Sequence, residues 1–294
     1  TFSLSKMPNS IKWWIYSIIL LPLLIILPVS VSLCYTTSNV VAGSNSDSDK
    51  IRAIDSLKSS SSLSWNDIND FVYQLQDIDL AAIGDTKFDL AIIDYSEDGG
   101  ESGRFSAEEI ETLINSAGGS KRVLAYMSIG EAENYRFYWE ESWDADNDGK
   151  PDTGAPAWLG PSNPDWPGNY KVRYWEPEWQ SIIFGSSTSY LDKIIESGFD
   201  GVYLDIIDAY EYWESGGESG EDRETVEQEM VDFVVKISEY AKRKNSDFGI
   251  FPQNGAALEA HEEYLDAVTG IGQEDIYYGY DSDGQKTSGN VTKA

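Results

Sequence analysis

The stretch Gly198-Phe199-Asp200-Gly201-Val202-Tyr203-Leu204-Asp205-Ile206-Ile207-Asp208 decides the fold. A glycine-flanked turn leads into a short apolar run, 202–204, that ends on a carboxylate. A loop rich in acidic and aromatic residues follows, with Asp208, Tyr210, Tyr212 and Trp213. In a barrel of parallel strands the carboxyl ends of the strands form the active-site rim, so an acid at this point reads as catalytic. An Asp here also suits a helix N-cap. The rim reading is favoured because other segments repeat the layout.

Working outward, apolar runs at 71–75, 88–95, 122–129 and 248–252 read as buried strands, and Asp94 falls at the end of the second. A fourth strand is expected near 171–175 and a seventh at 267–272, the latter delivering Gln273 and Glu274. Helices are expected at 106–116, which Ser106 can cap, at 180–196 and at 223–244. In the last of these, Val226, Met230, Phe233, Val234, Ile237 and Ala241 make one apolar face. Seven strand–loop–helix units with buried strands predict an α/β fold with a parallel sheet. The 294-residue length fits a (β/α)8 TIM barrel better than a doubly wound sheet, and no glycine-rich phosphate fingerprint follows the first strand. No eighth strand is legible before the Gly/Ser/Asp-rich tail after Tyr280. The barrel is therefore expected to lack its last strand and helix in this chain.

The formal net charge of −30 repels phosphate polymers and excludes a nucleic-acid partner. The same field draws in a cationic substrate, although adaptation to salt accounts for it equally well. Aromatic residues make up 13% of the chain, which suits either a sugar-binding surface or an aromatic core. The single cysteine, Cys34, excludes an intrachain disulfide. The single histidine, His261, reads as a surface residue, and its isolation argues against His triads and multi-His zinc sites. Chemistry here falls to carboxylates, tyrosines or an oxygen-ligated ion.

Residues 13–33 are uncharged and follow Lys6 and Lys12, a pattern able to cross a bilayer with the N-terminus inside. Val40-Val41-Ala42 offers a cleavage site, so 1–34 is either a signal peptide or an uncleaved anchor. In both cases the body is expected to be secreted or on the extracellular face of the membrane. Bulky Leu33 disfavours lipidation of Cys34. Residues 35–62 read as a flexible acidic, Ser-rich tether, 63–280 as the barrel and 281–294 as a disordered tail with a glycosylation sequon at Asn290. Oligomeric state is not legible.

Within 144–152, Asp144, Asp146, Asp148 and Asp152 place oxygen ligands at alternate positions, with Gly149 sixth, as in calcium-wrapping loops. The twelfth position is Ala155, where a full EF-hand has Glu, so a solvated acidic loop competes with a structural calcium site. Catalysis itself calls for no cofactor.

Acids at the ends of strands two, three, five and seven make a glycosidase-like design, in which two carboxyl groups do the work. Several phrases then resemble glycoside hydrolase family 114, the endo-α-1,4-polygalactosaminidase-like extracellular proteins. They are Ile93-Asp94-Tyr95, Tyr126-Met127-Ser128-Ile129-Gly130-Glu131-Ala132-Glu133, Asn163-Pro164-Asp165-Trp166-Pro167-Gly168-Asn169-Tyr170, Tyr174-Trp175-Glu176-Pro177-Glu178-Trp179, 198–208, and Pro252-Gln253-Asn254-Gly255. The resemblance spans about residues 63 to 280 and implies a β/α barrel that hydrolyses α-1,4-linked galactosamine polymer. It further implies Asp205 as nucleophile and Glu274 as general acid/base. By the same resemblance Asp94, Tyr95, Tyr126, Glu131, Arg173, Trp175 and Asn254 line the rim and hold sugar hydroxyls or amines. Two of these have plainer readings: Arg173 pairing with a neighbouring acid, and Tyr126 as core. Galactosamine polymer without acetyl groups is cationic, which suits an acidic cleft. The competing class is a barrel that binds glycans without cutting them.

Overall fold

A computed structural model describes residues 63–216 and 225–274, with the backbone alone of two short strands beyond them. The chain divides into two units, Thr1–Ser61 and Ser62–Ala294, and the described residues belong to the second. The expectations for 1–34 (with Cys34), the tether 35–62 and the Asn290 sequon lie outside the described residues. Among those described, no helix is long and apolar enough to cross a membrane.

In chain order, β1 (Phe71–Gln74), α1 (Leu80–Asp85), β2 (Leu90–Asp94), α2 (Ala107–Ile114) and β3 (Arg122–Ser128) open the fold. Then β4 (Glu131–Glu133), β5 (Leu159–Ser162) and β6 (Asn169–Val172) form a small antiparallel sheet of their own. Two helices, α3 (Pro177–Ile183) and α4 (Tyr190–Glu196), lead to β7 (Gly201–Asp205). Next come α5 (Ala209–Glu214), α6 (Val226–Lys244), β8 (Gly249–Pro252) and α7 (Glu262–Ala267). The backbone of β9 (Tyr278–Tyr280) pairs antiparallel with that of β10 (Lys286–Ser288).

The central sheet is parallel, in the order β1-β2-β3-β7-β8. That order follows the chain without reversal, as barrel staves do and as a doubly wound sheet does not. Every residue of β2 and of β3 is buried, which is why these strands read as unbroken apolar runs. Alternate residues separate two clusters. Ala91, Ile93, Val123, Ala125, Met127, Val202 and Leu204 join the main core with the helices. Leu90, Ile92, Leu124, Tyr126 and Tyr203 form a second cluster with Tyr73 and Phe251. The functional groups stand on this second face.

Its amino end is closed by Trp65, whose ring packs 5.1 Å from Phe251 and beneath the Arg122 guanidinium at 4.5 Å. Arg122 also binds Asp200 at 3.0 Å and Asp247 at 2.6 Å, tying the starts of the strands together. On the helical side, Ser106 and Glu109 form a reciprocal capping box at α2. All six apolar-face residues expected on α6 are buried. The aromatic wealth goes largely inward: Trp143, Trp158, Trp179, Tyr95, Tyr174 and Tyr190 are core.

Four expectations are corrected. The segment near 171–175 is not a barrel stave: β3 pairs directly with β7, and β6 alternates burial as a one-face-covered antiparallel strand does. The helix at 180–196 is two helices, broken where Gly185 takes φ +114°. The seventh strand is a single parallel bridge, Gln253 to Gly272, supported by Thr269 and Gly272 amides donating to Ile250 and Pro252 carbonyls at 2.8 Å. His261 is half-buried, and its Nε2 lies 2.7 Å from Glu227 Oε1, joining α7 to α6.

Candidate functional site

Strand register builds the site. Asp94 stands opposite Tyr126, and Ser128 opposite Asp205, at the carboxyl ends of β2, β3 and β7. The two-residue side-chain period puts Asp94, Tyr126 and Asp205 on the face shared by Tyr73 and Tyr203. The Tyr126 hydroxyl donates to Asp205 Oδ2 at 2.5 Å and the Ile206 amide to Oδ1 at 2.8 Å. Ile206 sits at φ +58°, a left-handed conformation that is costly for a β-branched residue and that persists only where the surroundings enforce it. One such constraint is Gly130: a Cβ there would stand 2.1 Å from the Ile206 carbonyl oxygen. Burial pushes the Asp205 carboxyl up to about 7; the two hydrogen bonds oppose this, and the charges of Glu274 and Glu133 reinforce it.

Glu274 follows the segment bridged to β8. Gln253 Nε2 and Asn254 Nδ2 donate to its Oε2 at 2.8 and 3.0 Å. Asn254 Oδ1 accepts from the Glu274 amide at 3.1 Å, so the left-handed Asn254 (φ +62°) clamps the acid at two points. The charge of Glu274 acts on Asp205, Tyr73 and Tyr203. A Cβ on Gly272, two residues before Glu274, would stand 2.1 Å from the Tyr203 hydroxyl, so the segment leading to Glu274 lies against the face that carries Tyr203. Beside Glu274 runs a groove of about 350 Å³, whose lining includes Asp208, Glu211 and Asn254.

Behind Tyr126 is a buried ionic group. Arg136 grips both Asp94 carboxylate oxygens at 2.8 Å and binds Glu133 Oε2 at 2.6 Å. Burial raises Asp94 in spite of the guanidinium. Glu133 also accepts the Tyr135 hydroxyl.

The residues expected on the rim fare differently. Tyr126 and Asn254 hold the carboxylates themselves. Asp94 is buried and paired with Arg136. Tyr95 points to the opposite side, fully buried with its ring 4.9 Å from Tyr190, because neighbours along a strand face opposite ways. Glu131 is also fully buried, paired with Lys171 and accepting from Asn163 at 2.9 Å. Arg173 and Trp175 gather around Trp213 of α5, at 5.0 and 5.3 Å. Sequence reasoning missed Tyr73, Glu133, Arg136 and Gln253. Gln253 was within reach, one residue before Asn254. Arg136 lies in irregular chain, where no periodicity marks it.

In the 144–152 loop, Asp144, Asp146 and Asp152 bring carboxylate oxygens within 4.8 Å of one another. Asp148 is outside that group and accepts the Lys150 amide at 2.9 Å.

Comparison with known proteins adds three findings. Residues 55–278 match the family model for glycoside-hydrolase family GH114. An uncharacterised protein of Methanocaldococcus jannaschii is 45% identical over 227 residues, which are 76% of this chain and 60% of the relative. One of Thermotoga maritima is 41% identical over 212 residues, 71% of this chain and 60% of the relative. The chain thus spans about 60% of the length of these curated relatives. Among solved structures, the glycoside hydrolase domain of PelA from Pseudomonas aeruginosa aligns with TM-score 0.49 and 15% identity, over 75% of this chain and 73% of that one. Aspergillus fumigatus Ega3, in complex with galactosamine, aligns with TM-score 0.45 and 21% identity, over 69% and 64%.

Proposed function

Because this chain belongs to glycoside-hydrolase family GH114, we propose that it cleaves α-1,4-linked galactosamine polymer through Asp205 and Glu274. What supports the reading is that each acid is clamped by its own donors and that the charge of Glu274 acts on the raised Asp205 carboxyl. Asp205 attacks the anomeric carbon while Glu274 protonates the departing glycosidic oxygen, so that one C–O bond forms as another breaks. Glu274, now ionised, takes a proton from water, which releases the sugar and restores Asp205. Tyr126 aligns the attacking carboxylate. An ammonium group on the bound sugar favours the ionised form of Asp205, opposing its burial. The acidic groove and the net charge of −30 suit the same cationic polymer. The uncharged segment 13–33 behind Lys6 and Lys12 supports action outside the cell, secreted or membrane-tethered.

The test is incubation of the protein with de-N-acetylated galactosamine polymer, with released oligosaccharides read by mass spectrometry. Binding of the polymer without any chain scission would replace the hydrolase with a glycan-binding barrel. A companion variant, Gly130→Ala, should displace the Asp205–Ile206 turn, since the blocking atom is backbone. Turnover is expected to fall about 100-fold, the scale of a 1 Å misplacement, with a stability loss of about 1–3 kcal/mol. Wild-type turnover in that variant would show that the turn is held by other contacts.

The proposal includes a structural calcium ion held by Asp144, Asp146 and Asp152, three hard oxygen donors gathered at one point. Its role is confined to the insertion. Millimolar Ca2+ is expected to raise Tm by several degrees, reversibly with chelator, and Asp144→Asn should abolish the rise; a Tm indifferent to calcium would leave a solvated acidic loop.

A further inference from the structure

We propose that the exposed ring of Tyr135 is the stacking platform for a sugar ring of the polymer beside Asp205. This deepens the hydrolase reading and rests on it. Among the described residues most large aromatic side chains are buried, yet Tyr135 keeps 49% of its surface in solvent. Its exposure is not looseness, because the ring is fixed at three points. The hydroxyl donates to Glu133, itself 1% exposed. The Arg136 guanidinium lies 4.7 Å from the ring centre. Gly99, at φ +76°, also lies against the ring: a Cβ there would stand 2.5 Å from Tyr135 Cδ2. The hydroxyl is therefore tucked in while about half of the residue's surface stays in solvent, and the held ring loses little further side-chain freedom on binding.

Its location ties the ring to the reacting groups. The same guanidinium carbon lies 5.9 Å from the Tyr126 ring, and the Tyr126 hydroxyl is on Asp205. Tyr135 thus stands on the Glu133–Arg136 side of Asp205, while Glu274 is held from β8. A pyranose presents apolar C–H groups on its face, and a rigid open ring is a matching surface for it. The ligand class is a pyranose ring, with the amino-sugar specificity supplied by the acids around it.

The experiment compares cleavage kinetics of wild type, Tyr135→Phe, Tyr135→Leu and Tyr135→Ala on de-N-acetylated galactosamine polymer, with oligosaccharide binding to the same series on an Asp205→Asn background. Tyr135→Phe and wild type are expected to agree within about 3-fold in KM, since both retain the ring. Tyr135→Leu and Tyr135→Ala should raise KM and the oligosaccharide Kd about 10-fold or more relative to Tyr135→Phe, with kcat within 3-fold and a Tm near that of Tyr135→Phe, which lacks the same hydroxyl on Glu133. Equal KM and Kd across the series, with wild type active, would overturn the platform and leave the hydrolase standing. Loss of kcat with Tm in all three variants would assign Tyr135 to the fold and overturn the platform as well. No cleavage or binding by wild type would remove the hydrolase reading together with the platform.

Discussion

Asp205→Asn should lose at least about 10³-fold in turnover while the protein becomes more stable at neutral pH. The two effects share one cause. Burial holds the Asp205 carboxyl up at about 7, against an ordinary value of 3.8. Below both values the group is protonated in the folded and unfolded chain and contributes no difference. As pH rises from about 4 toward 7, the unfolded chain releases its proton while the folded one keeps it, so stability falls over that window. Above about 7 the loss is complete. At about 1.4 kcal/mol per pH unit the ceiling is roughly 4 kcal/mol, and the bond from Tyr126 that asparagine accepts less well reduces the gain to about 1–2 kcal/mol. Thermal unfolding at pH 7 should show a rise of about 3–6 °C in the variant, turning into a fall near pH 4, where the linkage contribution is gone and only the weaker bond from Tyr126 is left. A fall in Tm at pH 7 would mean that Asp205 is stabilising as an anion. Glu274→Gln should lose turnover on the same scale. In wild type, kcat/KM should rise with pH to a midpoint near 7, because the nucleophile must be ionised. A fall through that midpoint would exchange the roles of the two acids.

Removing Arg136 is expected to give the largest loss of stability. The guanidinium is fully buried and serves two carboxylates, Asp94 and Glu133, that are buried with it. Arg136→Met would leave both without their counter-charge, at a cost of about 3–5 kcal/mol, or about 10 °C in Tm. Pairing it with Asp94→Asn and Glu133→Gln should recover most of that loss, since the neutral triad strands no charge. The recovery identifies the mechanism: failure of the triple variant to regain Tm would mean that Arg136 acts by packing against its four tyrosine neighbours and not by charge. Arg136→Lys should fall between, because a point charge cannot grip Asp94 in two places.

How much of this was written in the chain depends on the kind of signal. Strands β2, β3 and β7 were legible because burial on both faces demands unbroken apolar runs. The α6 stripe was legible because period and length agree. Position 171–175 misled because a one-face-buried strand with an aromatic end resembles a weak stave, and only pairing partners distinguish the two. At the site, Asp205 and Glu274 were visible as acids closing apolar runs. Tyr95 and Glu131 were read as rim residues from adjacency in motifs, whereas the pleat and the β4 hydrogen bonds turn both inward. Arg136 and Tyr135 left no trace in any period. Their importance arises from contacts between loops, which one-dimensional patterning does not encode.

The closure made by Trp65 and Arg122 has a practical corollary. It seals the amino ends of the strands, whereas Asp205 and Glu274 open at the carboxyl ends. A bead, electrode or display scaffold coupled just ahead of Leu63 would grip the molecule by its sealed base. The immobilised protein would then turn the carboxyl ends of its strands toward the bulk liquid, clear of the support.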